Sequence, residues 1–104
     1  MTRVRKTADD RREQCIEAAL ELARHKPYWR VARNEIADAV GIAGSVVQWH
    51  FGTVKNMRRL IMRAAIAAER LDINGQGIAN QDPHALKAPA DLRARALEEL
   101  LGSS

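Results

Sequence analysis

"GIAGSVVQWHFGT", residues 41–53, is the stretch whose division between core and surface decides the fold. It sets Trp49, His50 and Phe51 side by side in a chain that has only two Trp, one Tyr and one Phe. Just upstream, "EIADAV" (residues 35–40) offers an apolar residue, Ile36, followed by a small one, Ala37. Two helices that cross closely through a short turn need this pattern: a small residue at the crossing, a turn residue tolerant of positive φ, an apolar residue next, and an apolar lock about five residues on. Gly41, Ile42 and Val47 fill those places, so residues 33–53 read as a helix-turn-helix.

The spacing then sorts the second helix, about residues 44–51. Val47 and, one turn later, Phe51 point inward, and Ile42 packs under the turn. Val46 is assigned to packing. Gly44, Ser45, Gln48 and Trp49 lie on the other side. In a helix-turn-helix, such residues in the N-terminal part of the second helix reach base edges in the major groove. Gln matches an adenine edge, Ser several bases, and an apolar face a thymine methyl. His50 at the helix end, Arg33 and Asn34 at the start of the preceding helix, and Thr53 and Lys55 after it are candidates for phosphate contact.

Working outward, the chain reads as all-α. Ile16, Ala19, Leu20 and Ala23 form one helical stripe from about residue 10, with Asp9 or Asp10 as a cap and Pro27 as the stop. Tyr28, Trp29 and Val31 make an apolar connector. Thr53 is a plausible N-cap for a long helix over residues 54–71, carrying Met57, Ile61, Ala64, Ala68 and Leu71 on one face. "INGQG", residues 73–77, reads as a turn. Asp82-Pro83 opens a short helix, and Pro89 or Asp91 a last one with Leu92, Ala96 and Leu100 on one side and Gly102 after its end. Three segments result: a flexible basic arm (1–9) with Arg3, Arg5 and Lys6, a helix-turn-helix domain (10–72), and a C-terminal helical segment (73–104).

The 104 residues suit one small domain, and chains this small often dimerise. Net charge is +4, but residues 1–60 carry +5 and residues 61–104 carry −1, so the excess belongs to the half holding the quoted stretch. That balance points to an anionic partner, nucleic acid above all. Cys15 is the one cysteine and fits a small residue on a buried helix face. There is no apolar run long enough for a membrane span and no secretory pattern at the N-terminus, so a cytoplasmic location is expected. His25, His50 and His84 are scattered, with no metal-ligand spacing. No cofactor, metal or catalytic residue is expected, and the chain does not read as an enzyme.

With "CIEAALELA", "EIADAVGIA" and "GSVVQWHFGT" in order before a long helix, residues 10–65 resemble the DNA-binding domain of the TetR family of repressors. Ile36-Ala37, Gly41-Ile42 and the His50-Phe51 end of the second helix carry the likeness, and Trp49-His50 matches the family's namesake. The resemblance implies a TetR-like helix-turn-helix bundle, here with the short C-terminal helices read from the residues in place of the family's large C-terminal domain. A homodimer on a palindromic operator is expected because one reading head with a few base contacts gives little specificity, and repression because a small binder acts most simply by occluding a promoter. The family often has tyrosine where this chain has Gln48 and lysine where it has Val54; the phosphate contact they make either passes to Lys55 or is lost. Threonines common before the second helix are replaced by Val31 and Ala32, with Arg33 next to them. About 40 residues follow the DNA-binding part, too few to enclose an ordinary ligand pocket. The expectation is therefore a minimal regulator, of phage or plasmid size, with no small-molecule effector. Ile61, Ala64, Ala68, Leu71, Leu92, Ala96 and Leu100 are the expected dimer surface. Two other readings stand beside this one: a module that binds another protein through the same surface, and a TetR-type regulator cut short.

Overall fold

A computed structural model describes residues 8–102, which form seven α-helices and no strand. In chain order they are α1 (Ala8–Leu22), α2 (Arg33–Val40), α3 (Gly44–Phe51), α4 (Val54–Ala67), α5 (Leu71–Ala79), α6 (Pro83–Leu86) and α7 (Ala90–Gly102), with a 3-10 turn at Tyr28–Arg30. The architecture is the expected all-α bundle. The basic arm with Arg3, Arg5 and Lys6 lies outside the described residues.

One core joins α1 through α6. Cys15 and Ala19 of α1, Tyr28 and Val31 of the connector, Ile36 and Ala37 of α2, and Val47 and Phe51 of α3 close on Met57, Ile61, Met62 and Ala65 of α4 and on Ile73 and Ala85. Burial pushes the Cys15 thiol up from its ordinary range, so the group stays a protonated packing residue. The Tyr28 hydroxyl donates to Asp82 Oδ2 at 2.7 Å, and its backbone N–H donates to Gln76 Oε1 at 3.1 Å. These two bonds tie the connector to the α5–α6 corner. Burial, reinforced by the Asp82 carboxylate, raises the Tyr28 hydroxyl well above its usual range. The Asp82 cap holds as expected, with Oδ1 accepting from the His84 N–H at 2.9 Å.

Several boundaries differ from the sequence reading. Asp9 and Asp10 lie within the first turn of α1 rather than capping it, and α1 ends at Leu22, several residues before Pro27. The long helix expected over residues 54–71 stops at Ala67, because Glu69 turns the chain in the left-handed region at φ 52°. Asn74, fully enclosed, fixes that corner by donating through Nδ2 to the carbonyls of Ala65 (3.2 Å) and Arg70 (2.7 Å). Arg70 closes it from outside, pairing with Asp72 at 2.8 Å and reaching the Leu20 carbonyl at 3.4 Å. That bonding, with a backbone donor at Ile73, outweighs desolvation and holds the Asp72 carboxyl below the usual carboxylate range.

The larger correction is "INGQG". It is not a turn but the middle of α5, and the domain boundary expected after residue 72 falls inside this helix. The glycines are there for space. A Cβ on Gly77 would stand 2.7 Å from the Ala85 Cβ and 2.4 Å from the Met62 Cε; one on Gly75 would stand 3.1 Å from the Ala96 carbonyl oxygen. Tertiary packing thus outweighs the roughly 1 kcal/mol per residue that glycine costs a helix.

Because α5 is a helix packed on both α4 and α7, it covers much of the surface assigned to dimerisation. Ile61, Leu92 and Ala96 are buried within the chain and are unavailable to a partner. Ala64 and Leu71 are half-buried, and only Ala68 and Leu100 of that set are exposed. The large apolar side chains that α7 does expose are Leu97, Leu100 and Leu101.

Gly77→Ala discriminates the two readings of residues 73–77. In an exposed turn it would be harmless, whereas packed in α5 it should cost about 1–3 kcal/mol through overpacking, measured as a shift in the urea midpoint at constant slope.

Candidate nucleic-acid interface

The surface is organised by α3, a helix of 8 residues. So short a helix has little stability of its own and must be held by tertiary contacts. Val47 and Phe51 anchor it, both at 0 % exposure. Its entry is the α2–α3 turn. Gly41 takes φ 83°, ψ 37°, and the N–H groups of Gly41 and Ile42 both donate to the Ala37 carbonyl, at 2.8 and 3.0 Å. This is the glycine-capped helix end expected from the sequence. The exit is a second corner, where Gly52 sits at φ 71°, ψ −125°, the mirror of the extended region and open in practice to glycine alone.

Thr53 and Asn56 lock that exit. Thr53 Oγ1 accepts from the Asn56 N–H at 3.1 Å, the expected N-cap of α4. The Asn56 Nδ2 donates to the Phe51 carbonyl at 2.7 Å, closing the C-terminus of α3. Its Oδ1 accepts from Arg59 at 3.0 and 2.8 Å, which aims that guanidinium. Asn56 was not singled out from the sequence; its signal is a polar residue three after a threonine cap.

With Val47 and Phe51 turned inward, α3 presents Ser45, Val46, Gln48 and Trp49 to solvent. Trp49 is 73 % exposed and packs only its edge against His50, with ring centroids 5.0 Å apart. Two assignments change. Val46, expected to pack, keeps 37 % of its surface open, since its direction differs by about 100° from that of the fully enclosed Val47. Gly44 is half-buried against α2, where a Cβ would meet Asn34 Oδ1 at 3.1 Å, so it spaces the two helices rather than facing outward.

Cations gather at the N-termini of the two neighbouring helices. An open groove of about 630 Å³ runs between the N-termini of α2 and α4, lined by Lys26, Arg30, Arg33, Asn34, Val54 and Arg58 among others. Beyond Trp29, Val54 and Arg58 it meets a second groove of about 670 Å³, whose lining includes Thr53, Lys55, Asn56 and Arg59. The expected phosphate-contact residues Arg33, Asn34, Thr53 and Lys55 are thus brought to one side of the molecule, while half-buried His50 lies at the end of α3. The sequence reading missed Arg30, Arg58 and Arg59; the signal for the last two was the basic run "KNMRR" (residues 55–59).

Lys26 is engaged with Glu35, whose other oxygen accepts from the Ala32 N–H at 3.0 Å. The Lys26 ammonium, then that N–H, hold the Glu35 carboxylate below the usual range. Glu35 is thereby neutralised at the start of α2, where the helix dipole also favours it, and the groove keeps its positive character. No group of His, Cys, Asp and Glu among the described residues is placed to hold a metal ion. No protein-family model, curated protein or solved structure matches the chain.

The division of α3 into an anchoring and a presenting face is testable by stability alone. Phe51→Ala should cost about 3–5 kcal/mol. Trp49→Ala should change stability by no more than about 0.5 kcal/mol. Equal losses in denaturant titrations of the two variants would contradict the division.

Proposed function

We propose that the chain is a sequence-specific DNA-binding transcriptional regulator, built like the DNA-binding domain of the TetR family, that represses by occupying a palindromic operator as a homodimer. The observation that carries this reading is the α3 surface: a short helix held from inside, carrying an exposed Trp49 beside Gln48 and Ser45, next to helices whose N-termini open into adjoining grooves that include Arg30, Arg33, Lys55, Arg58 and Arg59. A helix entering the major groove needs such a face for base edges. It also needs flanking donors that hold the phosphates on either side. The N-termini of α2 and α4 add the positive end of the helix dipole.

The regulator works without a cofactor, a catalytic centre or a small-molecule effector, in the cytoplasm where its DNA lies. No helix among the described residues is long and apolar enough to cross a membrane. The second copy docks on the α7 face that carries Leu97 and Leu101, the apolar surface that α5 leaves open. Two reading heads on a palindrome combine their energies, which one head with a few base contacts cannot match.

Selection of bound duplexes from a random DNA pool should return a palindrome. Its half-site spacing reports the dimer. On the selected duplex, log K should fall linearly with log salt between about 50 and 200 mM, with a slope near −0.9 for each phosphate neutralised. Lys55→Ala should reduce that slope by about 1 while weakening all sequences alike; Gln48→Ala and Trp49→Ala should each cost about 1–3 kcal/mol on the selected site only. Removing residues 1–6 should weaken all sequences alike. A protein that ignores DNA at every salt concentration, yet binds another protein tightly through Trp49, would overturn the reading. Leu97→Glu with Leu101→Glu should yield a monomer by light scattering and lose the palindrome's advantage over a half-site.

A further inference from the structure

We infer that α3 reads A·T base pairs, with the thymine 5-methyl group seated between Val46 and Trp49; this rests on the DNA-binding reading above. The presenting face of α3 is apolar or neutral throughout: "GSVVQWHF", residues 44–51, contains no Lys, Arg, Asp or Glu. In the major groove, guanine is read chiefly by the fork of an arginine or by lysine on O6 and N7, and the cytosine amino group by a carboxylate. The helix has neither. It has Gln48, whose amide complements adenine N7 and N6, and Ser45, which accepts several bases.

Val46 and Trp49 supply the second half of the argument. They are three residues apart on the helix, hence neighbours on its surface. At 37 % and 73 % exposure they form the apolar part of the presenting face. Seated on a G·C pair, these side chains would cover the cytosine amino group and guanine O6 without offering a partner, which leaves desolvated polar groups unpaired. Seated on an A·T pair, they meet the one apolar group of the major-groove edge, the thymine methyl. His50 does not alter this balance. It lies half-buried at the C-terminal end of α3, away from the part that reaches base edges.

Deoxyuridine tests the inference, because it pairs with adenine as thymidine does and lacks only the methyl group. In the selected duplex each thymidine is replaced in turn, and binding is read by fluorescence anisotropy at fixed salt. Substitution at one or two positions per half-site should weaken the wild-type protein about fourfold, the value of one buried methyl-sized group. Val46→Ala should be insensitive at one of those positions. Trp49 is largely exposed, and Val46, with 37 % of its surface open, lies outside the enclosed core, so Val46→Ala and Trp49→Ala should keep the wild-type circular dichroism and shift Tm by no more than a few degrees, and Val46→Ala decides the matter if Trp49→Ala loses binding altogether. A selected half-site whose α3-contacted core is G·C, or one in which deoxyuridine is neutral at every position, overturns the inference while leaving DNA binding intact. Failure to select any duplex removes the DNA-binding reading and this inference with it.

Discussion

Everything presented by this protein depends on the burial of Val47 and Phe51 beneath α3. A helix of 8 residues makes few internal hydrogen bonds and would not persist in water by itself. Its position is dictated by two side chains locked into the core and by two glycine corners, a left-handed cap at Gly41 and, at Gly52, a conformation open in practice to glycine alone. With these fixed, the direction of every other α3 side chain follows from the helical repeat. For the proposed base-reading role the rigidity matters, because such a surface must hold its donors within a fraction of an ångström of their targets.

The cationic flanks depend on the same corners. Thr53 and Asn56 start α4 where α3 stops, and Asn56 spends its side chain on both the Phe51 carbonyl and the Arg59 guanidinium. The N-termini of α2 and α4 therefore open into adjoining grooves, with Arg58 shared between them. Glu35, the acidic residue of the first turn of α2, is bonded to Lys26. The result is a neutral, partly apolar α3 surface together with arginine-bearing grooves at the N-termini of α2 and α4, the two kinds of surface that the proposed contact with base edges and phosphates calls for.

The helix-turn-helix was legible because its signals are steric and local. Gly41 marks a left-handed cap, Ile36-Ala37 a close crossing, and Asp82-Pro83 a helix start, and each is observed where the residues imply it. The failures share one cause: long-range packing leaves no local trace. Glu69 holds a left-handed conformation without being glycine, so nothing in the sequence marks the end of α4. Gly75 and Gly77 read as turn residues, yet they serve the contact of α5 with α7, α6 and Met62. Once α5 is a helix, Ile61, Leu92 and Ala96 belong to the interior, and the apolar side chains left open on α7 are Leu97, Leu100 and Leu101. Val46 was misplaced because two adjacent β-branched residues look alike in sequence, although a helix can turn only one of them squarely inward.

The central claim is that the outward face of α3 and the helix N-termini beside it form one contact surface for duplex DNA. Amide chemical-shift mapping of the 15N-labelled protein, titrated with the selected duplex, tests it most directly. The account predicts the largest changes at Ser45, Val46, Gln48 and Trp49, including the Trp49 indole N–H, with a second set at Arg33, Asn34 and Lys55 and little change along α5. Perturbations absent from α3 with the duplex in excess, or confined to α7, would contradict it.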